Sequence, residues 1–436
     1  MTGKKLIWAT VGVILCWTVV PTFLSCFWGF QDFFQDWASA RNWVEGIAIY
    51  SPHSETVPRY LGLDFQHLGD NTLYPIVATV KVNAHPPSSV LFYLPFSVLP
   101  YRLSFVMWNL VSGVCLALAA VILYRELDLA PSRRVFALLA VLGFANGPMF
   151  EQMFFAQSNA VTLLLVILAW QAHRRGWQVW EGCCLGAAIA LKLYPLVLLV
   201  VPLAGRRWRS IGAALTTVSC LVGLSLALFG WDTWKDFAQI GMPEALAWSD
   251  LWANASLSAF WQKLFLSQNR GIPVPLSCPA AYRIFYGLSW VVLGLATVWL
   301  ALRERAPISD HSYSVATFAM LVLSPTCWPH YFLLAILPLA LLWRDCREMN
   351  WSRRMLVGCF CLLFVPAGWY QKCCLLLCSP SFAAGPFLCL TFLSMQTYAM
   401  VGLWVLAGMA KLGRIGRPQV GAVGDAPPTG ERILAA

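Results

Sequence analysis

Residues 181–209 read EGCCLGAAIALKLYPLVLLVVPLAGRRWR, an apolar stretch with one lysine inside it and arginines at its end. The segment before it, HRRG at 173–176, is equally basic, so a single membrane crossing would place arginines on the outer side against the usual bias. Pro195 also disfavours helical backbone at Tyr194. We therefore predict a hairpin of two short helices over 182–204, broken at ALKLYP, with arms of about ten residues or about 15 Å each.

The composition of the whole chain is typical of a helical membrane protein. Of 436 residues, 59% are hydrophobic and 11% are charged, with a mean hydropathy of +0.65, whereas a soluble domain would carry about a quarter charged residues. The net charge of +10 does not indicate nucleic acid, because the Lys and Arg residues lie in short clusters between apolar runs. Such clusters are typical of cytoplasmic loops.

Placing these basic clusters on the cytoplasmic side orients every apolar run. We predict an all-α polytopic domain over 1–410 with about 11 spans plus the broken hairpin, outer-face loops at about 29–102 and 231–283, and a disordered cytoplasmic tail at 411–436. The first run is too long for a signal peptide and is expected to be an uncleaved span. The expected spans are 6–28, 103–124, 135–150, 158–172, 210–230, 284–302, 314–325, 331–343, 355–370 and 386–410.

This topology places a set of polar residues on the non-cytoplasmic face of the membrane. Asp32 and Asp36 are four residues apart and share one face of a helix. A solvated helix start, with acids favourable near its N-terminus, explains them as well as a general base whose pKa is raised beside lipid. The polar residues on this face are Asp32, His85, Gln157, Lys192, Asn254 and His330.

Two basic residues of this set suggest an anion site. Lys192 interrupts an apolar run at a cost of at least about 2.5–3.5 kcal/mol, so an anion site at the hairpin break is favoured over a lysine that reaches the interface. His330 lies between two ring-bearing residues, and packing or capping explains it as well as a phosphate contact does. Together with the carboxylates and amides, these residues indicate chemistry on a lipid-linked anion.

Other functional classes fit parts of the sequence. A secondary transporter or a translocase of lipid-linked sugars would also have many spans and an intramembrane lysine, but a transporter should show repeated halves with matching broken segments, and we find a single break. A non-enzymatic assembly protein would not need Lys192. No P-loop, GxSxG or HExxH motif is present, no carboxylate cluster requires a metal, and no cytoplasmic loop is long enough to fold a nucleotide-sugar domain.

Several stretches match one enzyme family in order over roughly 30–345. They are the hairpin stretch above, DFFQDWASARNWVEGIAIY (32–50), HPPSSVLFYLPFSVLP (85–100), FFAQSNAVTLLLVILAWQAHRRG (154–176), NASLSAF (254–260) and SPTCWPHYFLLAILPLALL (324–342). With these stretches the chain resembles glycosyltransferase family 87, the polyprenyl-phosphate-mannose-dependent mannosyltransferases of the GT-C superfamily. The combination is specific, although each stretch alone would be weak.

The resemblance implies a GT-C fold and the transfer of a hexose, usually mannose, from a polyprenyl-phosphate-sugar donor. The acceptor would be a glycolipid or glycan at the outer face of the inner membrane, among membrane lipids, and transfer would proceed with inversion. GT-C relatives differ in their use of a metal, and no cofactor is expected to be required here. The family's catalytic acid corresponds to Asp32, with Asp36 as second candidate. A tyrosine often follows the first aspartate in the family, whereas Asp36 and Trp37 stand here, which leaves the acceptor open. The implied donor-phosphate contacts are Lys192, His330 and Tyr194, and the implied substrate contacts are His85, Gln157, Asn159, Asn254 and Trp328.

Overall fold

The structure is a computed structural model that describes residues 3–25, 32–63, 81–127, 147–249, 251, 253–266, 276–303, 310–346, 350–366, 368–370 and 390–413. Within these residues it is entirely helical, without strands, as the sequence predicts. The α-helices are α1 Gly3–Ser25, α2 Phe33–Val44, α3 His53–Leu61, α4 Pro87–Val90, α5 Leu94–Ser97, α6 Tyr101–Leu127, α7 Gly147–Phe154, α8 Asn159–Arg174, α9 Gln178–Leu191, α10 Val200–Ala204, α11 Trp208–Asp236, α12 Met242–Ala247, α13 Leu257–Phe265, α14 Pro279–Leu302, α15 His311–Leu323, α16 Ile336–Asp345, α17 Asn350–Phe364 and α18 Met395–Lys411. Short 3-10 helices cover Tyr194–Leu199, Pro329–Ala335 and Phe392–Ser394, and a π-helical turn covers Phe237–Gly241.

Fewer helices than predicted are long and apolar enough to cross a membrane. In the part of the chain that the structure describes there are four such helices, or five if α7 and α8, bent by 117°, form one span. The predicted number of about 11 is therefore not confirmed, and most of the expected span 135–150 lies outside the described residues. The four are Tyr101–Leu127, Trp208–Ala247, Pro279–Leu302 and Phe392–Lys411.

The difference arises because several apolar runs are interrupted. The expected spans 314–325 and 331–343 correspond to α15, to a 3-10 segment that begins at Pro329, and to α16. The 13 residues of α15 reach about 20 Å, less than the ~30 Å of a hydrocarbon core. Hydropathy alone does not register such interruptions.

The apolar stretch 182–204 doubles back, as the sequence predicts. Helix α9 ends at Leu191, and the backbone of the next residue, Lys192, is extended, with φ −148° and ψ 136°. After the 3-10 helix and α10 the chain returns to its starting level, because Arg207 Nε lies 2.7 Å from Glu181 Oε2 at the beginning of α9. Helix α11 then runs parallel to α9.

Two glycines allow α9 and α11 to pack closely. A Cβ atom on Gly182 would lie 2.1 Å from the Ser210 carbonyl oxygen, and one on Gly186 would lie 2.6 Å from that of Ala214. Their spacing of four residues is the small-xxx-small pattern of closely packed membrane helices. The sequence shows the same pattern as Gly182 and Gly186 in EGCCLG (181–186).

Replacing Gly186 with Leu is expected to destabilise the fold. The side chain would overlap the α11 backbone, and overpacking of this kind costs about 1–3 kcal/mol or more. Thermal unfolding of the purified protein in detergent would measure the loss. Gly223→Leu is the matched control, because a Cβ atom there meets nothing within 4 Å; equal unfolding temperatures for the two variants would contradict the packing role.

Polar contacts hold the end of α1 against the bend between α7 and α8. Asn109 of α6 donates from Nδ2 to Thr22 Oγ1 at 2.9 Å and to the Met153 carbonyl at 2.8 Å. Ser25 Oγ donates to the Phe154 carbonyl at 2.7 Å. The buried face of α2 packs on the aromatic side chains of α6. The end of α1 and the bend between α7 and α8 are therefore fixed against each other.

Candidate active site

Asp32 stands immediately before α2, outside the membrane-spanning helices, and its side chain does not cap that helix. The Phe33 amide donates to the Phe155 carbonyl at 3.1 Å, which fixes the start of α2 to the α7–α8 bend. The Asp32 Oδ2 atom accepts a hydrogen bond from Gln157 Nε2 at 2.8 Å. The carboxylate is thus directed to protein groups, which does not fit the alternative of a solvated helix start.

Gln157 connects this carboxylate to the lysine of the hairpin. Its Oε1 atom accepts a hydrogen bond from Lys192 Nζ at 3.1 Å, while its Nε2 atom donates to Asp32. The residue before it, Ala156, has φ +49°, a left-handed conformation that is uncommon outside glycine and is often found at functional sites. One amide group therefore separates a carboxylate from an ammonium group.

The Lys192 side chain is only 4% exposed, although it carries an ionisable amine within an apolar part of the chain. Its Nζ atom is 4.9 Å from the centre of the Tyr331 ring, within cation–π range. Tyr331 also lies 5.1 Å from Tyr194, measured between ring centres. The Tyr194 hydroxyl donates to Asn159 Oδ1 at 2.8 Å. Tyr194 and Asn159 thus reach the group around Lys192 through Tyr331.

Asp36 is 3% exposed and is paired with His85. The His85 Nδ1 atom lies 2.9 and 3.0 Å from the two Asp36 carboxylate oxygens. The loop that carries His85 is fixed by Tyr50, whose hydroxyl donates to the His85 carbonyl at 2.6 Å. Since both Asp36 oxygens face His85, Asp32 is the better placed of the two candidates to receive a proton from a substrate.

His330 is buried at the start of the 3-10 segment Pro329–Ala335. Its Nδ1 atom is 3.7 Å from Glu151 Oε2, too far for a hydrogen bond, and has no hydrogen-bond partner among the described residues. Glu151 lies in α7 and was not a predicted site residue. The signal that could have identified it is an acid inside the apolar run GPMFEQMFF (147–155).

Asn254 does not join these residues. Its amide nitrogen donates to the carbonyls of Ser249 and Pro325 at 2.9 and 3.1 Å, and its oxygen accepts from the Ser256 and Cys327 amides at 3.0 and 2.8 Å. The side chain is used by backbone groups and fixes the turn that precedes His330. The predicted substrate contact at Asn254 therefore stays a prediction, with its amide group already bonded to the backbone. The half-buried Trp328 lies in the same turn.

The charges around Asp32 act on its proton affinity in opposite directions. Burial of the carboxyl group raises the pKa of Asp32 above its usual range, while nearby His85, the hydrogen bond from Gln157 and the charge of Lys192 oppose this rise. A carboxylate with a raised pKa is a stronger base once it is ionised. In the part of the chain that the structure describes, no cluster of three or more His, Cys, Asp or Glu residues could hold a metal ion.

Comparisons with known proteins agree with the sequence motifs. The profile of glycosyltransferase family 87 matches residues 83–325. A polyprenol-phosphate-mannose-dependent alpha-(1-2)-phosphatidylinositol mannoside mannosyltransferase of Mycobacterium tuberculosis is 26% identical over 302 residues, covering 65% of this chain and 67% of that protein. The corresponding pentamannoside mannosyltransferase of Mycolicibacterium smegmatis is 27% identical over 158 residues, 36% of this chain and 37% of that protein. An alpha-(1->3)-arabinofuranosyltransferase of Mycobacterium tuberculosis is 27% identical over 188 residues, 42% of this chain and 38% of that protein. The matched regions thus span about a third to two thirds of these relatives.

Proposed function

The chain belongs to glycosyltransferase family 87, and on that premise we propose that it transfers a hexose, with mannose favoured, from a polyprenyl-phosphate sugar to a glycolipid or glycan acceptor. Residues 1–410 would form one integral membrane catalytic domain in the cell's inner membrane. The distribution of Lys and Arg favours an active site open to the non-cytoplasmic face. Relatives named for polyprenol-phosphate-mannose-dependent mannosyl transfer support the choice of donor.

The observation that carries this proposal is the chain of hydrogen bonds from Asp32 through Gln157 to Lys192. Glycosyl transfer with inversion needs a proton acceptor for the attacking hydroxyl and a cation for the departing phosphate. The Asp32 carboxylate would act as the proton acceptor and the Lys192 ammonium group as the cation. Only the side-chain amide of Gln157 separates them. A transporter would need neither group in this relation.

In the proposed reaction, Asp32 removes the proton from an acceptor hydroxyl. The hydroxyl oxygen attacks the anomeric carbon of the donor sugar, and the bond from that carbon to the phosphate oxygen breaks. Polyprenyl phosphate leaves with the electron pair, and Lys192 and His330 stabilise its charge. Tyr194 and Asn159 would help to position Lys192 through Tyr331, and Asp36 would orient His85 toward the substrate.

The test is a transfer assay with the purified protein in lipid. Radiolabelled polyprenyl-phosphate-mannose and a mixed pool of glycolipid and glycan acceptors should give a labelled product and free polyprenyl phosphate. A parallel reaction with a polyprenyl-phosphate-arabinofuranose donor would test whether arabinofuranose is transferred in place of mannose, because one relative is an arabinofuranosyltransferase. Movement of labelled lipid across proteoliposomes without any product would instead support the translocase alternative.

The pH dependence of the reaction should reflect the raised pKa of Asp32. The base acts only when it is ionised, so kcat/KM should fall as the pH decreases through the Asp32 pKa. Since this pKa is raised, the fall should begin above the range of about 4 that is usual for an aspartate. Initial rates with the lipid donor across the acidic range would measure it. An acid limb at the ordinary aspartate value, or none, would contradict the assignment.

A further inference from the structure

Glu151 is a third carboxylate at the proposed active site, beside Asp32 and Asp36. Asp32 accepts a hydrogen bond from Gln157, and Asp36 is paired with His85. In the described part of the chain, no group donates a hydrogen bond to the Glu151 carboxylate, although its side chain is only 23% exposed. A polar group that is largely buried without a hydrogen-bond partner is costly, which indicates that a ligand pairs with the Glu151 carboxyl group.

Glu151 is connected both to the segment that holds the proposed base and to the proposed phosphate contact. The Phe155 amide donates to the Glu151 carbonyl at 2.9 Å, and the Phe155 carbonyl accepts from the amide next to Asp32 at 3.1 Å. Glu151 is thus within one helical turn of the residue that holds Asp32 in place. On its other side, its Oε2 atom is 3.7 Å from His330 Nδ1.

His330 provides a second and independent indication of a ligand. Its side chain is 6% exposed, and its Nδ1 atom finds no hydrogen-bond partner among the described residues. Buried polar atoms in folded proteins are nearly always paired. The distance between Nδ1 and the Glu151 carboxyl oxygen, 3.7 Å, is too long for a direct hydrogen bond. A hydroxyl oxygen that lies to one side of this pair, within hydrogen-bond distance of each atom, would pair with both.

The chemistry of the missing ligand follows from the two groups that it would pair with. A sugar hydroxyl both donates and accepts hydrogen bonds, so it can pair with the Glu151 carboxyl group and with His330 Nδ1 at once. In a displacement with inversion, the attacking hydroxyl and the leaving phosphate lie on opposite sides of the anomeric carbon. A residue that is linked to the segment holding the base, and that also lies beside the phosphate contact, is therefore placed to reach the donor sugar.

We propose that Glu151, together with His330 Nδ1, binds hydroxyl groups of the donor hexose and so determines which sugar is transferred. This inference rests on the proposed function. It assigns Glu151 a role in sugar recognition that is separate from proton transfer by Asp32.

The test compares binding of two lipids that differ only in the sugar. Equilibrium binding of polyprenyl-phosphate-mannose and of polyprenyl phosphate would be measured for the wild type, Glu151→Ala and Asp232→Asn. Asp232 is the matched control, because its carboxylate is 90% exposed. Glu151→Ala should lose about fivefold in affinity for the sugar-bearing lipid, as expected for the loss of one hydrogen bond. It should bind polyprenyl phosphate as the wild type does, which also shows that it is folded.

Donor analogues that each lack one hydroxyl make the assignment specific. The wild type should lose affinity for the analogue that lacks the hydroxyl bound by Glu151, and Glu151→Ala should lose nothing further with it, as in a double-mutant cycle. Equal loss of both lipids in Glu151→Ala, or unchanged binding of the mannose lipid, would overturn the inference while leaving transfer by the wild type intact. A wild type that bound neither lipid and transferred no sugar would overturn the proposed function itself, and this inference with it.

Discussion

Replacing Asp32 with Asn is expected to abolish sugar transfer and to leave the protein folded. Asn keeps the size of the side chain and an oxygen that can accept the hydrogen bond from Gln157 Nε2, now 2.8 Å from Asp32 Oδ2. It cannot take a proton from the acceptor hydroxyl. Loss of a positioned general base reduces rates by about 10²–10⁴-fold. The measurement is the initial rate of transfer from the lipid donor, with thermal unfolding as the check on folding.

Asp36→Asn is the informative comparison for this variant. Both Asp36 oxygens face His85 Nδ1, so this change should disturb the orientation of the imidazole and reduce the rate less than Asp32→Asn does. Full activity in Asp32→Asn together with an inactive Asp36→Asn would transfer the role of base to Asp36. Full activity in both variants would remove the carboxylates from the mechanism.

The second large effect is expected at Glu181, which lies far along the chain from the proposed base. Its fully buried carboxylate accepts from Arg207 Nε at 2.7 Å and from the Tyr313 hydroxyl at 3.0 Å, and lies 2.6 Å from His173 Nδ1. This buried group joins α8, α9, α15 and the end of the hairpin. Removing the carboxylate in Glu181→Ala would leave the Arg207 charge buried without a partner, at a cost of about 3–5 kcal/mol in the free energy of unfolding.

Thermal and denaturant unfolding in detergent would measure this loss. The control is Glu45→Ala, which removes a carboxylate from the more exposed ion pairs with Arg41 and Arg59 and should cost about 0–1 kcal/mol. A double variant, Glu181→Ala with Arg207→Met, should be more stable than Glu181→Ala, since it removes the unpaired charge as well. A double variant that is less stable than Glu181→Ala would contradict the proposed cause.

The hairpin and the shared location of the site residues could be predicted from the sequence. They depend on features that can be read locally, such as a proline, or summed along the chain, such as basic residues. The clusters of arginine on both sides of 182–204, together with Pro195, are sufficient to predict the reversal. The same count of charges places Asp32 and Lys192 on one face. The bridging amide of Gln157 could not be predicted, since it depends on the left-handed turn at Ala156 and on how the bend between α7 and α8 meets α2.

Other features depend on tertiary packing that the sequence does not reveal. Glu151 and Glu181 were not among the predicted site residues, although Glu151 lies beside His330 and Glu181 is at the centre of a buried charged group. The family resemblance identified Asn254 as a motif residue. It could not show that the Asn254 amide nitrogen donates to backbone carbonyl groups. The number of spans was overestimated because apolar composition does not register the interruption at Pro329.

The hairpin is held at both of its ends. At its base, Arg207 is bound by Glu181, and near its tip Ser88 donates to the Ala190 carbonyl at 2.8 Å, close to the bond between Lys192 and Gln157. The Lys192 ammonium group is therefore held in place by the fold itself. In the proposed reaction, a donor that enters would meet a cation already in position, so the entropy of arranging the catalytic groups would be lost once, when the chain folds.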